Sequence, residues 1–136
     1  MPQPQPPEAI VEKVRLICLD LPDVVEEAAW TGTRWCIRTK NFAHVVMIDG
    51  GWPPAYAQAA ANDGPACVLT FRTPQPAADT PRFARPPFFL PVWWRDIVGI
   101  MLTPDSDWDA IEPLLVASYC TLAPKALAAR VAAQRQ

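Results

Sequence analysis

From Glu8 to Asp20, apolar residues recur at Ile10, Val14, Ile17 and Leu21, with Val11 and Cys18 beside them. That spacing predicts a helix with one buried stripe. Glu8 and Glu12 stand in its early turns, where carboxylates suit the N-terminal dipole. Pro7 can open the helix because it has no N–H to satisfy, and Leu21-Pro22-Asp23 ends it. The period then changes. Val24 to Trp30 reads as extended chain, and Thr31-Gly32-Thr33 as a turn, with Gly32 supplying a positive φ. In the strand Arg34 to Lys40, alternation puts Arg34, Cys36, Arg38 and Lys40 on one face and Trp35, Ile37 and Thr39 on the other. Phe42 to Asp49, built around Val45-Val46-Met47-Ile48, is the next strand, paired as a hairpin through Lys40-Asn41.

Trp52 to Pro65 is Ala-rich but short, and its Pro53, Pro54 and Gly64 predict a loop with about one helical turn. Ala66 to Thr73 is a fourth strand. Pro74, Pro76, Pro81, Pro86, Pro87 and Pro91 then exclude regular helix and central strand. Trp94 to Thr103 is apolar on both faces, as a central strand is. After the start signal Thr103-Pro104-Asp105-Ser106, a helical face follows at Trp108, Ile111, Leu115, Tyr119 and Leu122. Pro113 delays or bends that helix, Pro124 ends it, and Lys125 to Ala133 forms a last helix. Helix, strands, then helices predict an α+β fold with an antiparallel sheet of about five strands.

Composition bounds this picture. With 136 residues, half of them apolar and 19% charged, the chain reads as one globular domain over 8–134 behind a disordered Pro/Gln tail at 1–7. A formal net charge of −2 excludes a global positive field, so a charged partner must meet a local patch. Cys18, Cys36, Cys67 and Cys120 are scattered, with no C-x-x-C pair, and are expected as free, mostly buried thiols rather than a zinc site or disulfides. The N-terminus lacks a signal-peptide pattern and no apolar run spans a bilayer, so the expectation is a soluble cytoplasmic protein without a membrane partner.

Candidate chemistry is sparse. His44 is the one histidine, set mid-strand beside Phe42, Val46 and Ile48, and it reads as a satisfied structural residue. Gly50-Gly51 before Trp-Pro-Pro is a turn, not a phosphate loop. Asp105, Asp107 and Asp109 alternate like the start of a calcium loop, but the later Gly and Glu are missing, so they suit a helix start. No catalytic residue, metal site or cofactor is expected, and the chain reads as a non-enzyme. The remaining signal is electrostatic. Arg34, Arg38 and Lys40 lie in a stretch without acids; Arg72, Arg82, Arg85 and Arg95 interleave with Phe83, Phe88, Phe89, Trp93 and Trp94. Cations for phosphates and aromatic faces for bases are what nucleic-acid binding requires. The same rigid Pro/aromatic loop, 74–94, equally suits a homodimer or partner-protein contact.

Several of these features recur together in one bacterial family. Leu21-Pro22 after the first helix, Trp30-Thr31-Gly32, Lys40-Asn41-Phe42-Ala43, Ser118-Tyr119 and Ala123-Pro124-Lys125 make the chain, over about Pro7 to Val131, resemble the MmcQ/YjbR family. The resemblance implies a CyaY-like, double-wing α+β fold, with the N- and C-terminal helices on one face of a twisted antiparallel sheet, and DNA binding; the charge pattern offers Arg34, Arg38, Lys40, Arg72, Arg82 and Arg85 for that role, and Lys125 adds a charge at a recurring place in the family. It transfers no catalytic residue. Relatives of frataxin type handle iron on an acidic helix edge, but Glu8, Glu12, Asp20, Asp23, Glu26 and Glu27 are dispersed and interrupted by Lys13 and Arg15.

Overall fold

A computed structural model describes residues 4–73, 80–93 and 95–135. Pro74 and Pro76 of the proline cluster, and Trp94 of the expected last strand, lie outside these residues. Helix α1 (Glu8–Cys18) begins directly after Pro7, which sits at the N-cap rather than the first helical position. Strands β1 (Val24–Ala28), β2 (Thr33–Ile37) and β3 (Lys40–Ile48) follow, then helix α2 (Pro54–Ala60) and β4 (Ala66–Arg72). A short helix α3 (Thr80–Phe83), a two-residue strand β5 (Phe88–Phe89), β6 (Ile97–Leu102), α4 (Trp108–Leu122) and α5 (Lys125–Gln134) complete the chain. The six strands form one antiparallel sheet in the order β1-β2-β3-β4-β6-β5. The α+β architecture expected from the sequence is the one observed. The sixth strand, β5, is a two-residue edge between prolines, too short for a period to register.

The terminal helices cover one face of the sheet. Ile10, Val11, Val14 and Cys18 of α1, Ile111, Leu115 and Tyr119 of α4, and Val131 of α5 pack on Trp35, Ile37, Val45, Leu69, Phe71, Val98 and Ile100. Cys18, Cys36 and Cys67 are buried in the fold and all four thiols are free, as expected. Burial raises the Cys18 and Cys67 thiols, Cys67 to about 12. Arg15 on α1 gathers Glu8, Glu12 and Glu26, and its guanidinium holds the Glu26 carboxyl below the usual range. The dispersed acids of the first helix and strand are thus partly consumed by one cation.

Three expectations are corrected. The β2–β3 hairpin turns at Arg38-Thr39, not Lys40-Asn41, because Arg38 adopts φ +58 in a two-residue loop. Arg38 therefore leaves the strand, and only Arg34 and Cys36 keep the shared face. Secondly, β3 bulges: Trp35 pairs with Ala43 but Cys36 with Asn41, so Phe42 is the extra residue. Its ring packs edge-on against Tyr119 at 5.6 Å, on the helix side and not beside His44. Thirdly, residues 54–60 form a full helix, α2, on the opposite face of the sheet. Pro54 is preset for the first turn, and burial of Tyr56 and Ala57 on Val46, Ile48 and Val68 overrides the breakers around it.

Past Ala43 and Phe71 the bulge parts β3 from β4. Ser118 of α4 fills the gap: its Oγ accepts the Arg72 N–H at 2.8 Å and donates to the Phe42 carbonyl at 2.6 Å. Tyr119 beside it donates to the Pro22 carbonyl at 2.8 Å, which ties α4 to the end of α1. Ser118→Ala leaves both backbone groups unpaired, at about 1–3 kcal/mol for each orphaned group. Urea denaturation reads this loss, and a cost below about 0.5 kcal/mol removes the bridging role.

Candidate functional site

The face of the sheet opposite the terminal helices carries one continuous row. Glu27, Arg34, His44, Thr70, Gly99 and Phe89 stand opposite one another in turn across all six strands. Strand alternation puts Arg72 on the same face, two residues beyond Thr70. At the β6 end of the row, a Cβ on Gly99 would run into the Phe89 ring, so that ring lies directly on the glycine.

His44 is buried in the middle. Its Nε2–H donates to the Thr31 carbonyl at 2.7 Å, and its Nδ1 accepts the Tyr56 hydroxyl at 3.2 Å. A carbonyl only accepts, which assigns the proton to Nε2. Burial, with the Arg34 charge across the ladder, pushes the imidazole below its ordinary value of 6.5, against the opposing pull of the Thr31 carbonyl. Burial also pushes the Tyr56 phenol up to about 12. Both His44 ring nitrogens are thus satisfied, as expected from its place mid-strand. Since the folded pKa lies below the unfolded one, the unfolded chain takes the proton first. This contribution is whole above about pH 6.5 and is lost as pH falls toward the folded value, at up to about 1.4 kcal/mol per pH unit. His44→Gln is expected to flatten the stability profile between about pH 7 and 5, the range where no other ordinary side chain titrates. Equal slopes in the two proteins would contradict this.

Beside the row opens a pocket of about 240 Å³, lined by Trp30, Arg34, Asn41, Phe42, His44, Tyr56, Thr70, Phe71, Arg72, Trp93 and Ile97. Its two guanidiniums are each held by a carboxylate behind them. Arg34 Nε donates to Glu27 at 2.7 Å. Arg72 Nη1 donates to both oxygens of Asp96, at 2.9 and 3.1 Å. Among the described residues, the Nη1/Nη2 edge of Arg34 and the Nε/Nη2 edge of Arg72 make no bond to protein. Each is a two-pronged donor of the shape that fits a carboxylate or phosphate. Three aromatic rings line the same pocket: Trp30 lies 6.3 Å from Tyr56, and Tyr56 lies 4.7 Å from Trp93, centroid to centroid. Trp30 is braced edge-on by Trp52 at 5.9 Å and still 60% exposed.

Of the seven cations expected to bind nucleic acid, the structure brings together Arg34 and Arg72. Arg38 sits in the β2–β3 turn, 3.9 Å from Asp23, and Lys40 directly after it. Arg82 lies over the rings of Phe83 and Phe88, 5.4 Å from each. Arg85 is exposed near β5, and Lys125 is exposed at the start of α5. Asp107 caps α4 by accepting the Ala110 N–H, so the alternating aspartates serve a helix start. A larger groove of about 440 Å³ between Phe88, Met101 and Leu114 is mainly apolar, and its Ser106 and Asp107 oxygens are taken up by the Thr103 and Ala110 N–H groups.

Sequence reasoning missed Thr70, Tyr56, Asn41 and Trp30 as members of this site. The one available signal was the alternation of β4, which places Thr70 and Arg72 on one face. Among the described residues no group of His, Cys, Asp and Glu could hold a metal ion, and no helix is long and apolar enough to cross a membrane. No family model, curated protein or solved structure matches the chain.

Proposed function

We propose that this chain is a non-enzymatic binding domain that holds an anionic ligand in the pocket on the open face of the sheet. The observation that carries the reading is the pair of braced guanidiniums, Arg34 and Arg72, which line one cavity and each keep a donor edge that no described protein group takes. Bracing by Glu27 and Asp96 lowers the entropy that such a clamp loses on binding. Among the described residues, the pocket lining beside His44 offers the hydroxyls of Tyr56 and Thr70 and no acid or thiol. The resemblance to the MmcQ/YjbR family and to CyaY-like folds belongs to this reading. It is supported by the structural work of its hallmark residues: Gly32 in the turn, Ser118 and Tyr119 as stitches, Pro124 as a break.

A duplex-binding surface is the other use of the same cations. The spread of Arg38, Lys40, Arg82, Arg85 and Lys125 over separate places favours the pocket instead. A protein-docking alternative is favoured by one observation, Val92 at 96% exposure beside Trp93. Isothermal titration with benzoate and with a short DNA duplex at low salt separates the readings. Benzoate is expected to bind once per chain, and Arg34→Gln or Arg72→Gln to weaken it at least about tenfold. Benzoate silence with duplex binding that weakens steeply with salt and in Arg38→Ala/Lys40→Ala gives the site to DNA. Silence toward both, with a concentration-dependent dimer in light scattering that Val92→Asp dissolves, gives it to a protein partner.

A further inference from the structure

We infer that the ligand of this pocket is an aromatic carboxylate: a single negative charge on a flat conjugated ring. The inference rests on the anion reading above and adds charge, shape and size to it. Charge comes from the balance at the floor. Arg34 and Arg72 are already matched one for one by Glu27 and Asp96, and the buried His44 is neutral. The floor is thus neutral before a ligand arrives, so a monoanion adds one charge for the two forks to share, whereas a phosphate dianion adds two in a half-buried site.

Shape comes from the rings. Trp30, Tyr56 and Trp93 form a connected aromatic run, and Trp30 is the member kept exposed although it is large and braced. An exposed, held indole face is a stacking surface for another π-system. Size follows from the cavity: about 240 Å³ is smaller than the ~300–1,000 Å³ of sites for drug-sized ligands. One ring or two fused rings match that volume.

The test titrates the full chain, by calorimetry, with 2-naphthoate, cyclohexanecarboxylate and inorganic phosphate. The expected result is one naphthoate per chain, bound at least about tenfold tighter than the other two, the difference made by a single good stacking contact. Trp30→Ala is expected to erase that preference, weakening naphthoate at least about tenfold more than cyclohexanecarboxylate. Arg72→Gln is expected to weaken both carboxylates together. Circular dichroism checks that each variant is folded, and Arg34→Gln stands in for Arg72→Gln should the latter unfold. Equal, Arg-dependent binding of the two carboxylates overturns the ring and leaves the anion reading intact. Phosphate binding tighter than either overturns the monoanion. Naphthoate binding indifferent to both arginines overturns the inference by reducing the site to an apolar surface. Silence toward all three probes overturns the anion reading itself.

Discussion

Gly32→Ala is expected to cost roughly 2–5 kcal/mol, enough to lower Tm by roughly 10–20 °C in a chain of this size. Two penalties add. The residue sits at φ +72, where an L side chain is strained, and its Cβ would overlap the Val45 carbonyl oxygen. That oxygen belongs to β3, in the middle of the sheet, where Val45 pairs with Thr33 on one side and Leu69 on the other. It cannot retreat without opening a ladder. Gly50→Ala separates the two penalties, because Gly50 has a similar φ of +61 and open space around its Cβ. It should lose only the backbone part, about 1–2 kcal/mol. Thermal unfolding of both variants reads the difference, and equal losses would remove the close approach of the β1–β2 turn to β3.

Trp35→Ala is expected to cost about 3–5 kcal/mol, the range for emptying a large aromatic site in a core. Trp35 is completely buried and heads the largest of the enclosed side chains. Its indole N–H donates to Glu26 at 2.8 Å, on the same carboxylate that Arg15 grips from α1. The substitution therefore removes packing and one strut of the contact between α1 and the β1–β2 hairpin. Trp35→Phe keeps part of the volume and loses the strut, so it should fall between wild type and Ala. Denaturant midpoints at constant m-value measure all three. A Trp35→Ala cost below about 1 kcal/mol would mean that this face of β2 does not carry the core.

These two residues also mark how far the chain was legible. Trp35 and Ile37 going inward followed from alternation alone, and so did the buried stripe of α1, because side-chain direction repeats with the local backbone period. Gly32 was readable as a positive-φ position; the Val45 carbonyl facing it was not. The breaks at Pro22 and Pro124 were legible for a similar reason, since a missing N–H and a fixed φ act on the nearest turn whatever lies around them. The helix α2 and the strand β5 were misjudged because their stability comes from the sheet beneath, through Tyr56 on Val46 and Phe89 on Gly99.

The candidate site was legible only as a list of residue types. Arg34 reaches Glu27 across a ladder, and Arg72 reaches Asp96, 24 residues away, across another. The row Arg34–His44–Thr70 depends on two registers at once, and a slip of one residue in either would turn its partners to the opposite face. Local periodicity thus settled the longer helices and strands and which sides are apolar, though not α2 or β5. Strand register, the bulge at Phe42 and the pairing of each cation were left to the packed sheet, because those are energies between residues far apart in the chain, and no window of neighbouring residues contains them.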